Sequence, residues 1–336
     1  MQKTLITISL ILITTTSYAI SHVGNYTMNF DLSAQKSNKE VKLWLPYPVS
    51  DQNQAIRNIN WQGDFQEAAV YTDRKNGTPM LYASWPKGSK SRKLTFSFEA
   101  EREEQIRRDF PKVEGAFNPA DFTHYLAATS LGPVDGGVKE LADKITDGKS
   151  SILAKARAIY DWTVEQTFRD PKTRGCGIGD VNKLLKRPGG KCADISSVFV
   201  AISRAARVPA REVFGIRSGR DNEQDVTKWQ HCWAEFYLPG YGWVPVDPAD
   251  VRKAMLKRQL KIDSPEVAEL REYFWGGVDP YRIRLSEGRD LLLNPPQAGP
   301  PVNYLMYPFA QVGSETVDWL DPETFQYKIL WRPSQR

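Results

Sequence analysis

The stretch GGKCADISSVFVAISRAARVP, residues 189–209, decides the architecture. Ile195, Val198, Phe199, Ile202 and Ala206 recur at three- and four-residue spacing until Pro209 stops the pattern, which predicts a helix opening near Cys192 with two glycines in front of it. Downstream, residues 211–216, 232–238 and 243–246 are short and rich in β-formers. The last two are joined by Pro239, Gly240, Tyr241 and Gly242, a tight connection that makes them antiparallel neighbours. Upstream, Ile152, Leu153, Ala156, Ile159, Tyr160, Thr163 and Val164 share one face of a second helix. Ser150 or Ser151 can cap it, and it should end before Pro171. Residues 138–250 therefore read as an α+β core, helices packed on an antiparallel sheet.

Working toward the N-terminus, residues 21–103 alternate with period two in short runs such as YTMNF (26–30), VKLWL (41–45) and LTFSF (94–98), with an Asn76, Gly77 hairpin signal between two of them. They predict a small β-sandwich domain. Residues 104–137 are broken by Pro111, Gly115, Pro119, Gly132 and Pro133 and read as a linker, one that can wrap on the next domain. Residues 251–336 read as an extension of helices, around 254–260 and from 265 to 274, then loops and a final strand at 325–331. Residues 1–19 read as a signal peptide: Lys3, an apolar run at 5–13, then Ser17 and Ala19 at the cleavage-recognition positions. That run is far shorter than the ~20 residues of a spanning helix, so no stable membrane insertion is expected after cleavage, and the location is periplasmic or secreted.

The chain carries 45 Lys and Arg against 40 Asp and Glu, a formal charge of +5 that falls by one when Lys3 leaves with the signal. The basic residues are scattered along the sequence, and even the cluster at 252–261 sits among helix formers, which excludes a nucleic-acid footprint. The oligomeric state is not legible.

Three cysteines remain in an oxidising setting: Cys176, Cys192 and Cys232. Cys192, at a helix start, meets unpaired amides and the positive end of the helix dipole, which favour thiolate. Gly189 and Gly190 let backbone approach a substrate closely, Lys191 adds positive potential, and the Cys192 amide can face a developing oxyanion. His231 opens the alternating strand HCWAEFY (231–237), and Asp247 ends the neighbouring one, opposite or diagonal to it. A carboxylate there fixes the imidazole tautomer while the other ring nitrogen takes the thiol proton. Asp247 and Pro248 could instead form only a strand-ending turn. Against a metal set of Cys192, Cys232 and His231 stand the lack of a Cys-x-x-Cys pair and the alternation that sends His231 and Cys232 to opposite faces. No metal and no cofactor is expected.

GKCADIS (190–196), HCWAEFY (231–237) and WVPVDP (243–248) resemble, in order and spacing, the motifs of the transglutaminase-like superfamily, and AIYDWTVE (158–165) resembles the helix before its nucleophile. WLPYP (44–48) and GRDLLL (288–293) are similar to flanks of bacterial exported members. The resemblance implies a papain-like core, a Cys192, His231, Asp247 catalytic triad, and acyl transfer from amides or esters of a peptide or protein substrate, a cell-wall peptide among the options. Hydrolysis is favoured over cross-linking because no calcium loop is evident and water is the abundant acceptor outside the cytoplasm. An inactive binding module for a peptide or cell-wall ligand is the alternative. Cys176 and Cys232 could pair as a disulfide, or Cys176, in RGCGIG (174–179), could be a free thiol on a glycine-rich loop near the site. That loop lacks the ending of a phosphate cradle.

Overall fold

The computed structural model describes residues 20–321 and 323–334; the expected signal peptide, residues 1–19, lies outside them. In Lys93–Glu103 every second side chain is buried, so Leu94, Phe96, Phe98 and Ala100 face inward. The antiparallel register sets Tyr26 opposite Phe98 and Met28 opposite Phe96. These strands belong to a five-stranded sheet in the order Gln224–Asp225, Gln326–Pro333, Ser21–Asp31, Lys93–Glu103, Gln54–Gly63. A second five-stranded sheet runs Glu315–Thr316, Phe309–Val312, Val41–Pro46, Pro79–Trp85, Glu67–Thr72. Their apolar faces share one core, with Tyr26, Phe96 and Phe98 from one sheet and Leu43, Leu81 and Trp85 from the other. Each such side chain contributes roughly 1.5–3 kcal/mol by leaving water. The N-terminal domain is thus a β-sandwich.

Chain from beyond residue 300 completes it. Gln326–Pro333 lies antiparallel beside Ser21–Asp31, with Trp331 opposite Tyr26, and Phe309–Val312 pairs with Val41–Pro46. The segment read as an extension also supplies the outer strand, Arg282–Glu287, of the core sheet, whose order is Gly242–Val246, Gln230–Leu238, Ala210–Arg217, Arg282–Glu287. Gln54 joins the two parts: its Oε1 accepts from the Arg284 amide at 2.9 Å and its Nε2 donates to the Arg284 carbonyl at 3.1 Å.

The helix Cys192–Ala205 packs against this sheet and is buried at all 14 positions. Some of its polar residues find partners: Ser197 Oγ donates to the Ala193 carbonyl at 2.6 Å, and Arg204 Nε to the Ala210 carbonyl at 2.9 Å, while the Ser196 and Ser203 hydroxyls have none among the described residues. Ile152–Gln166 lies on the same core, and Ser151 Oγ caps it by accepting from the Ala154 amide at 3.1 Å. The segment after residue 103 wraps on the core: Gln105–Ile106 pairs with Gly277–Val278, and the Gly115 amide donates to the Pro239 carbonyl at 2.9 Å. The helix expected near 254–260 opens earlier, as Pro248–Arg258, because Asp247 caps it and Pro248 fits its first position. No helix among the described residues is long and apolar enough to cross a membrane.

Candidate active site

Cys192 is the first residue of its helix, so the amides around it have no partner within the helix and must be held from outside. Asp194 and the glycine-rich loop supply the holding. The Lys191 amide donates to Asp194 Oδ2 at 3.1 Å, the Gly179 amide to Asp194 Oδ1 at 2.8 Å, and the Ala193 amide to the Cys176 carbonyl at 3.0 Å. The glycines before the helix turn out to serve this packing. A Cβ on Gly190 would stand 2.4 Å from the Asp194 side chain, and one on Gly189 2.2 Å from the Phe168 ring. We expect Gly190→Ala to cost about 1–3 kcal/mol, read by denaturant unfolding, because it displaces Asp194 from the amides it ties together.

His231 and Asp247 meet diagonally. The register pairs Ala234 with Val246, so one step further Asp247 falls opposite Trp233, on the face that Trp233 shares with His231. Asp247 Oδ2 lies 2.7 Å from His231 Nε2, and its Oδ1 accepts from the Asp250 amide at 2.9 Å. One carboxylate therefore caps a helix and engages the imidazole. With Nε2–H directed at Asp247, Nδ1 is left as the basic nitrogen.

Sequence reasoning missed Arg282. Its side chain, 0% exposed, donates Nη1 to Asp247 Oδ2, Nη2 to Asp250 Oδ2 at 2.7 Å and Nε to Asp279 Oδ2 at 2.9 Å. Burial works against its charge, but Asp250, Asp279 and Asp247 together hold it firmly protonated. Burial likewise works against ionised Asp250, yet Arg217, His231 and Arg282 keep its carboxyl well below the usual range. Donor atoms of His231, Asp247 and Asp250 lie within 4.8 Å of one another, a spacing that could suit a cation. The guanidinium bridging both carboxylates already supplies the positive charge there. No local signal marks Arg282, which lies outside every motif and reaches the site through the outer strand.

Cys176, Cys192 and Cys232 are free thiols, all buried in one cluster, which resolves the open disulfide alternative toward the reduced form. The Cys192 thiol is held well below its ordinary range. Hydrogen bonding from Cys176 contributes most, then that from Cys232; His231 adds a hydrogen bond and charge, and together they outweigh burial. Hydrogen bonding to Cys192, then burial, pushes Cys176 up; burial first, then Cys192, pushes Cys232 up, so both remain protonated, and Cys176 Sγ also donates to the Gln230 carbonyl at 3.4 Å. His231 and Cys232 both act on Cys192, although adjacent strand residues were expected to diverge. Removing a donor raises the pKa of the thiol that it served. Cys176→Ala should therefore move the midpoint of the Cys192 alkylation-versus-pH curve upward, leaving less thiolate at any pH below it.

Cys192 and His231 line a cleft of about 650 Å³ whose walls include Trp229, Tyr307, Trp319 and Tyr327. The other histidines lie elsewhere: His22 stacks on Trp331 and bonds the Gly219 carbonyl at 2.8 Å, and His124 sits in a one-turn helix, Thr123–Leu126.

A sequence model of the transglutaminase-like superfamily matches residues 139–248. An uncharacterized protein of Haemophilus influenzae is 36% identical over 92% of this chain and 91% of its own length. A protein-glutamine gamma-glutamyltransferase of Pseudomonas aeruginosa is 33% identical over 33% of this chain, a match that spans 18% of that protein. In structure, a candidate cysteine protease from Cytophaga hutchinsonii superposes with a TM-score of 0.61 at 12% identity, covering 95% of this chain and 92% of that one, which establishes a shared fold. The chain belongs to the transglutaminase-like superfamily.

Proposed function

We propose that this protein is an exported cysteine-dependent acyl-transfer enzyme that hydrolyses amide bonds of peptides or proteins through a Cys192 thioester, with Cys192, His231 and Asp247 as its catalytic residues. The observation that carries this reading is the 2.7 Å His231–Asp247 contact beside a buried thiol whose surroundings favour thiolate. The thiolate attacks the carbonyl carbon, and electrons move onto the carbonyl oxygen, for which the amide of Cys192 is the candidate donor. Collapse expels the amine, which takes a proton from the imidazolium. Water then attacks the thioester, gives its proton to His231, and releases a carboxylic acid and the thiolate. Asp247 keeps the imidazole oriented throughout and stabilises its charged form.

The likeness over about a third of the chain to the Pseudomonas glutamyltransferase supports a second reading, in which an amine replaces water in the last step. Glutamine peptides incubated with and without a labelled amine separate the two. Product acid and ammonia without label support hydrolysis; label incorporation faster than hydrolysis supports transfer. Identical product formation by wild type and Cys192→Ala would refute both and favour a binding module. Export is tested by locating the mature N-terminus, expected at residue 20 in a cell-free or periplasmic fraction.

A further inference from the structure

The cleft around Cys192 is lined by 19 residues, of which seven are Lys or Arg and none is Asp or Glu. A chain with 45 basic and 40 acidic residues would ordinarily show both signs over such an area. Two of the seven are neutralised from behind: Arg174 by Asp318 and Arg217 by Asp250, each at 2.6 Å. The other five, Arg169, Lys191, Lys228, Lys253 and Lys257, have no ion pair among the described residues.

Their placement surrounds the thiol. Arg169 pairs through its backbone with Gly190, two residues before Cys192, and Lys191 is the cap of the nucleophile helix. Lys253 and Lys257 lie one turn apart on Pro248–Arg258, the helix that Asp247 caps, and Lys228 precedes the histidine strand. Like charges four residues apart destabilise a helix by a few tenths of a kcal/mol, a cost the fold retains here. Lys253 is half-buried, and burial followed by the charge of Arg217 lowers its pKa, with Asp250 offsetting them only in part. Cations in a cleft with low-dielectric walls focus the field and concentrate anions.

We propose that this cleft selects peptide acyl donors that carry carboxylates on the residues flanking the bond attacked by Cys192. The inference rests on the nucleophile reading above. The aromatic walls fit the peptide backbone and side chains between the charges, and a substrate carboxylate would form charge-assisted hydrogen bonds with Lys253 and Arg169.

Two small electrophiles test it on the whole protein. Cys192 thiolate displaces iodide from iodoacetate or iodoacetamide, forming one S–C bond, with peptide mass identifying the site. In the wild type at low salt, iodoacetate is expected to react about tenfold faster than iodoacetamide, the magnitude typical of electrostatic focusing. That ratio should fall about tenfold in Lys253→Gln/Lys257→Gln and in high salt. Triglutamate should slow iodoacetamide labelling, whereas trilysine should not. Rapid, His231-dependent iodoacetamide labelling with no iodoacetate advantage and no triglutamate protection would overturn the acidic-donor proposal and leave the nucleophile reading standing. Equal protection by inorganic sulfate would overturn the peptide assignment in favour of a general anion site. Absence of His231-dependent labelling by either reagent would remove the nucleophile reading and this proposal with it.

Discussion

Arg282→Met is expected to lower folding stability by about 3–5 kcal/mol and to remove activity, the cost typical of stripping one partner from a buried ion pair. The guanidinium is fully buried and faces Asp247, Asp250 and Asp279; its loss leaves three carboxylates with Arg217 as their main counter-charge. The pH dependence distinguishes this cause from simple loss of packing, which methionine largely retains. In the wild type Asp250 has a lowered pKa, so its contribution is complete above the ordinary carboxylate range, near pH 4, and is lost as pH falls through its folded value. In Arg282→Met the stranded carboxylates have raised pKa values, so proton uptake relieves them and the stability gap to wild type narrows as pH falls. Denaturant unfolding from pH 8 to pH 4 measures this. A gap constant with pH would mean that Arg282 acts through packing alone.

Asp247→Asn should reduce acylation by about 10⁴-fold, the scale seen when a triad carboxylate becomes an amide, and also lower stability, because the same Oδ2 accepts from the buried Arg282 guanidinium. Asparagine caps helices as well as aspartate does, so Oδ1 can still accept from the Asp250 amide. The atom that replaces Oδ2 becomes an NH2 donor facing His231 Nε2. The imidazole then has to accept there and moves its hydrogen to Nδ1, losing the basic nitrogen that takes the thiol proton. The expected signature is slow iodoacetamide labelling at pH 6, at a temperature where the variant is still folded, together with a melting temperature below that of wild type. Wild-type labelling rates in this variant would remove Asp247 from the mechanism.

The two outcomes depend on different kinds of information. Cys192, His231 and Asp247 were legible because each stands at an element boundary: a helix start after two glycines, a strand start, and a strand end after a tight turn. Boundary residues have local signals, and a four-residue turn fixes which strands are neighbours. Arg282 had none, because its role is set by the pairing of Arg217 with Arg282 across 64 residues of intervening sequence. The same limit applies to the cation cleft. Arg169, Lys191, Lys228 and Lys253 are scattered in sequence, and the even distribution that argued against a basic footprint converges only when helix, loop and strand fold around the thiol.

By itself, then, the sequence determined the helical and strand periods of the main elements, a serine cap at 150 or 151, the β-sandwich, the α+β core and the three residues whose chemistry is complementary. Those properties follow from side-chain spacing and turn geometry over a few residues. The tertiary structure alone decided that Cys192–Ala205 would be buried on every side, that Gln326–Pro333 would complete the N-terminal sheet beside Ser21–Asp31, and that Cys176 and Cys232 would flank Cys192 as thiols. Each of these is a contact between segments far apart in the chain, where backbone hydrogen bonding and apolar burial are satisfied jointly and no short window of sequence carries the choice of partner.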